Sequence, residues 1–163
     1  MKILSMKTTI FLGAMLSLLV CLMFTGCSNS ETNSTSRGLT DFAHIEEEYL
    51  ATIDSLNWPD GITLPDKLED EDTGASFQVG YGETRASNLW EYSWMKEWLD
   101  TYNTNPERAE KALEELEKAF DMPYMGIDRC DDATRNYLRE NIDKAKLGDP
   151  SGFTESIRAN YAN

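Results

Sequence analysis

Hydrophobic residues in this chain form one dense run near the start and a series of periodic stripes after it. The run from Ile10 to Phe24 is mostly apolar and uncharged, and it gives way to the polar segment Ser28 to Gly38. Beyond it, Phe42, Ile45, Tyr49, Ile53 and Leu56 recur at intervals of three and four with Glu46, Glu47 and Glu48 between them, which predicts an amphipathic helix capped by Thr40 or Asp41. Trp58-Pro59-Asp60-Gly61 and Pro65 then forbid helix, so the chain is expected to run extended. Phe77, Val79 and Tyr81 alternate with Gln78 and Gly80, the period of a strand, and Ile62 to Leu64 is the expected hairpin partner. From Thr84 the period is helical again, with Trp90, Trp94, Trp98 and Tyr102 four residues apart and Leu89, Met95 and Leu99 beside them. Asn105-Pro106 supplies an N-cap and a first-turn proline for a third helix, whose face is Ala109, Ala112, Leu113, Leu116 and Phe120 and whose end lies near Asp121-Met122-Pro123. Asp131 or Asp132 caps a fourth helix through Tyr137, Leu138, Ile142 and Ala145, stopped by Gly148-Asp149-Pro150, and Ser151 opens a last one with Phe153, Ile157 and Tyr161 on one side. The expected fold is mainly α: a small single-domain bundle of four to five helices with a short extended or β-hairpin element between the first and second.

The first stripe is an address. Lys2 and Lys7 precede the apolar run, and small residues lead to Cys27 in Phe24-Thr25-Gly26-Cys27, the layout of a cleaved export signal. A retained transmembrane helix is the rival reading, but spanning needs about 20 apolar residues, and this run is shorter and broken by Gly13 and Ser17. The segment resembles the signal of bacterial lipoproteins, with Phe24 where that signal usually has Leu. The resemblance implies that residues 1–26 are removed and that Cys27 carries a diacylglyceryl thioether at the new N-terminus. Two acyl chains give stable anchoring where one is marginal. The expectation is therefore a protein tethered to the outer face of a bacterial cell membrane, residues 27–39 being lipidated cysteine and linker and 40–163 an acidic helical domain. Neither nucleic acid nor nucleotide is an expected partner there. Trp58-Pro59-Asp60-Gly61-Ile62-Thr63-Leu64-Pro65, then Gly80-Tyr81-Gly82 and Trp90 and Trp94, also resemble small lipoproteins of Gram-positive bacteria, particularly actinobacteria, over residues 57–102. Those proteins have no assigned activity, so this likeness implies a compartment only.

Charge sharpens the picture. The chain holds 15 basic and 29 acidic residues; losing residues 1–26 removes two lysines and no acid, leaving a net charge of −16. Such a domain stands off anionic headgroups and favours cationic partners, including divalent metal ions, although the same charge also serves solubility. A polar linker of this length spans about 20 Å. Some 125 residues remain from Leu39, enough for one core. With Cys21 in the leader and Cys27 lipidated, Cys130 is left without an intramolecular disulfide partner, and Asp128, Asp131 and Asp132 beside it disfavour a thiolate.

Five features bear on chemistry. The stripe Trp90, Trp94, Trp98, together with Trp58 and Tyr81, is a candidate ligand-binding platform, while the same spacing also describes a core. Glu91 interrupts that aromatic face; it is a candidate general acid if buried, and otherwise reaches solvent or an arginine such as Arg85. The run Asp66, Glu69, Asp70, Glu71 and Asp72 offers oxygen ligands for a weak divalent-cation site, but the positions of Gly74 and Tyr81 do not fit an EF-hand loop, and a solvated loop is the plainer reading. Gly80-Tyr81-Gly82 lacks the third glycine of a dinucleotide loop and is read as a tight strand-to-helix turn. His44 is the only histidine, which excludes a multi-histidine metal site. Three functions are weighed: a non-catalytic module binding an envelope protein or peptide through Trp58, Tyr81 and part of the stripe; a carboxylate-dependent envelope hydrolase with Glu91 as acid; and a solute-binding accessory protein, for which one domain lacks the usual two lobes.

Overall fold

In the computed structural model, residues 38–69 and 71–161 are described, so the leader, Cys27 and Asp70 lie outside the described residues. The elements run β1 (Leu39–Thr40), α1 (Phe42–Ser55), β2 (Phe77–Gln78), α2 (Tyr81–Thr101), α3 (Pro106–Glu117), two 3-10 turns (Lys118–Asp121 and Pro123–Met125), α4 (Asp132–Lys146) and α5 (Ser151–Asn160). The mainly helical fold with five helices is as the periodicity predicts, and its caps are local. Asp41, Asn105 and Asp131 each accept from the backbone N–H three residues on, at 3.0, 3.2 and 2.7 Å. Among the described residues no helix is long and apolar enough to cross a membrane.

The extended element between α1 and α2 is β2, but its partner is not Ile62 to Leu64. It pairs antiparallel with β1, in the register Leu39 to Gln78 and Thr40 to Phe77, and Val79 N–H donates to the Gly38 carbonyl at 3.1 Å. Residues 62–64 stay irregular. Nor does the strand reach Tyr81, which is already helical. The reason is a carboxylate from elsewhere: Glu48 of α1 accepts from Gly80 N–H at 2.8 Å and from Gly82 N–H at 3.2 Å, so α1 caps α2 and starts it three residues earlier than Thr84. Gly80 sits at φ +89°, and a Cβ on Gly82 would stand 1.9 Å from the Ile45 carbonyl oxygen. The first glycine makes the turn; the second lets the two helices touch.

α2 is the axis, in contact with α1, α3, α5 and the second 3-10 turn. Its N-terminal half packs Ala86 against Ile45, Tyr49 and Ile53 of α1. Its C-terminal half sends Trp90, Trp94, Met95 and Trp98 into a second cluster with Leu116, Leu138, Ile142 and Phe153. Trp58 packs against both clusters, and the Trp90 and Trp94 indole N–H groups both donate to the Asn57 carbonyl at 2.8 and 3.1 Å. The loop after α1 is thereby fastened to the middle of α2. Trp98 stacks on Tyr102 at 4.6 Å and meets Phe153 edge-on at 5.3 Å. The third helix stops at Glu117 and tightens to 3-10 turns, which carry the chain past Pro123 and set Tyr124 against α2.

Candidate functional site

Residue 91 lies on α2 at the rim of the tryptophan cluster, where Tyr124, Met125 and Leu138 of that cluster reach a recess. The 3-10 turn Pro123–Met125 brings Tyr124 to it, the start of α4 brings Cys130 and Asp131, and the end of α5 brings Tyr161. These residues, with Asn88, Arg129, Thr134 and Tyr137, line an open recess of about 480 Å³, within the usual size of a small-ligand site. Tyr124 donates its hydroxyl to Glu91 Oε2 at 2.9 Å. Burial pushes the Glu91 carboxyl up to about 7, against the opposing pull of the Tyr124 hydrogen bond. Burial, then the neighbouring Glu91, raise the Tyr124 phenol far above its ordinary value, so it remains a donor. Tyr161 is raised by the same two causes in the same order; its hydroxyl donates to the Asn88 carbonyl at 3.1 Å, and its ring lies 4.8 Å from that of Tyr92.

Among the described residues Glu91 has no basic side chain in ion-pair range. Arg129, on the wall of the same recess, is held by Glu83. Arg85, the partner expected from sequence, instead pairs with Glu71 at 2.5 Å, and Tyr81 donates to that same Glu71 oxygen at 2.8 Å. The Cys130 thiol is pushed up chiefly by burial, with Asp131 and Glu91 adding to the shift and Arg135 opposing it. Crowding acids thus matter less than the sequence suggests. Asp131 is exposed and held below its ordinary value by hydrogen bonds from Thr134. A second recess, of about 490 Å³ and lined by Tyr49, Lys67, Glu69 and Arg85, shares Asn88, Asn160 and Tyr161 with the first. Tyr161 stands between the two.

Burial corrects the aromatic platform. Trp90, Trp94 and Trp98 are 1, 1 and 2 % exposed, so the stripe is core, with only an edge of Trp98 reaching a surface recess beside Tyr102. Trp58 is half-buried with its indole N–H donating to the Ile53 carbonyl at 2.9 Å, and Tyr81 is half-buried beside Phe77, so these two do not join the stripe in a surface patch. The acidic run is spent on local contacts: Glu69 pairs with Lys67, Glu71 with Arg85, and Asp72 accepts from Gly74 N–H, while Asp66 is exposed. Among the described residues no group of three or more acidic, histidine or cysteine side chains is placed to hold a metal ion. His44 lies 3.4 Å from Glu48 on the exposed side of α1. Of the residues singled out by sequence for their chemistry, Glu91, Cys130 and Asp131 meet in the recess. Tyr124, Tyr161, Asn88 and Arg129 are site residues that sequence reasoning misses, and no local pattern marks them.

The chain matches no family model, and neither a curated protein nor a solved structure matches it. Its geometry and sequence carry the functional reading unaided.

Proposed function

We propose that this protein is a lipid-anchored binding module of the outer face of a bacterial cell membrane, and that the recess around Glu91 is its ligand seat. The anchor rests on Lys2, Lys7, the apolar run and Cys27; the seat rests on the convergence of Glu91, Tyr124, Asn88 and Tyr161 from three segments on one open recess of about 480 Å³. A core defect of that size would be lined by apolar side chains alone, whereas this recess sets hydroxyls, amides and the carboxyls of Glu91 and Asp131 beside Met125 and Leu138. Intact-mass measurement of the membrane-extracted protein tests the anchor, with a chain starting at a diacylglyceryl-modified Cys27 expected; an intact leader or an unmodified Cys27 thiol rejects it. A chemical-shift screen with amines, amino acids, sugars and carboxylates tests the seat. Shifts should cluster on residues lining the recess; shifts elsewhere only, or none, reject it.

One observation favours a second reading, a carboxylate-dependent envelope hydrolase. Glu91 and Asp131 line the same recess with their acidities pushed in opposite directions, up to about 7 and below the ordinary range, the division expected of an acid and a base. Hydrolysis of envelope glycans that vanishes in both Glu91→Gln and Asp131→Asn would support this reading. Unchanged turnover in either removes it.

A further inference from the structure

Resting on the reading of the recess as a ligand seat, we infer that its ligand is an organic cation, an alkylammonium group whose charge meets Glu91 and whose carbon chain lies along Tyr124, Tyr137 and Tyr161. Three observations converge on this class. Of the two carboxyls at the recess, Asp131 is exposed and held by Thr134, whereas Glu91 is sheltered, and among the described residues no lysine, arginine or histidine neutralises it; a sheltered carboxylate without a counter-charge is costly, and a cation supplied from outside removes that cost. Arg129, among the described residues the one cation on the wall, is committed to Glu83 and so does not turn the seat toward anions. The recess is far larger than an inorganic ion needs and, among the described residues, no group of three or more acidic, histidine or cysteine side chains is placed for a divalent metal, while Tyr124, Tyr137 and Tyr161 line it and aromatic rings attract the positive charge of an ammonium group.

The arrangement makes binding a proton exchange. The titratable and charged groups facing Glu91 are Tyr124 from the 3-10 turn, Arg129, Cys130 and Asp131 from the segment entering α4, Tyr137 from α4 and Tyr161 from the end of α5. Both buried phenols stay protonated through neutral pH and Asp131 stays ionised, so Glu91 is the group that changes. With the seat empty its carboxyl is protonated below neutral pH and about half protonated at pH 7; an arriving ammonium displaces the remaining proton to solvent and pairs with the carboxylate, while Tyr124 continues to donate to Oε2.

Titration calorimetry of the full chain with n-pentylammonium, with n-pentanol, pentanoate, a neutral disaccharide, potassium and magnesium as comparators, tests the inference. Pentylammonium is expected to bind about tenfold more tightly at pH 8 than at pH 6, following the ionised fraction of a carboxyl that titrates near 7. The heat at pH 7 should vary with the ionisation enthalpy of the buffer because a proton is released. Glu91→Gln, which keeps the shape and the Tyr124 bond, should lose at least tenfold in affinity, and Glu91→Asp should recover part of it. Equal binding by Glu91→Gln, a flat pH profile, or potassium or magnesium matching the amine overturns the inference. Glu91-dependent binding of pentanol, pentanoate or the disaccharide in place of the amine overturns it while leaving the ligand seat intact. If no probe binds, both fall.

Discussion

Replacing Glu91 by Gln should stabilise the protein, and only in one pH range. The carboxyl titrates near 7 in the folded chain against an ordinary 4.5, because burial penalises its charged form. Below pH 4.5 both folded and unfolded chains hold the proton, and Glu91 costs nothing. As pH rises past 4.5 the unfolded chain ionises while the folded one does not, so stability falls until the folded carboxyl also ionises near 7. At about 1.4 kcal/mol for each tenfold difference in acidity between the two states, the loss reaches about 3 kcal/mol above neutrality. Glutamine keeps the acceptor for Tyr124 and escapes the penalty. For a domain of this size, 3 kcal/mol corresponds to about 10 °C in melting temperature. Melting curves of wild type and Glu91→Gln should therefore nearly coincide at pH 4 and separate progressively between pH 4.5 and 7, the variant melting higher above that. Parallel curves, or a variant less stable at pH 8 than at pH 4 relative to wild type, would refute the argument that Glu91 is sheltered without a counter-charge.

Gly82→Ala should cost about 3 kcal/mol or more in urea unfolding, since its Cβ has no room beside the Ile45 carbonyl, while Gly38→Ala, with open space around it, should stay within about 1 kcal/mol. Glu48→Ala removes the acceptor of the Gly80 and Gly82 N–H groups and should lower stability by about 1 to 3 kcal/mol in the same assay, with amide exchange accelerating first at those two positions. Trp94→Ala should cost about 3 to 5 kcal/mol, and native tryptophan fluorescence should resist iodide quenching at all of Trp90, Trp94 and Trp98. Cys130 should react slowly with a disulfide reagent at pH 7 in the native protein and at the rate of an ordinary thiol in urea, because burial holds its proton.

How far the sequence speaks depends on whether the deciding contact is local. Asp41, Asn105-Pro106, Asp131 and Gly148 mark helix ends through bonds to residues three or four positions away, and each end falls where the local pattern puts it. The strand pair is not legible in that way, because Leu39 and Gln78 are brought together by the whole of α1 and the loop after it. Tyr81 reads as strand because nothing beside it announces that Glu48 will cap the helix from α1. At the site, a carboxylate interrupting an aromatic stripe is legible as an anomaly, but not its resolution. Glu91 accepts from a phenol that a 3-10 turn, with Pro123 in its first position, delivers from beyond the end of α3. The stripe itself is legible both as core and as platform; the sheltering helices α3, α4 and α5 decide for core.

Tyr161 is a partition. One phenol, tied to the Asn88 carbonyl and leaning on Tyr92, stands between two chambers of nearly equal size. Removing this ring would open one part of a wall that Asn88 and Asn160 also line from both sides, and a bulky fusion placed directly after it would strain the same wall. Handles for purification or imaging therefore belong well clear of the end of α5.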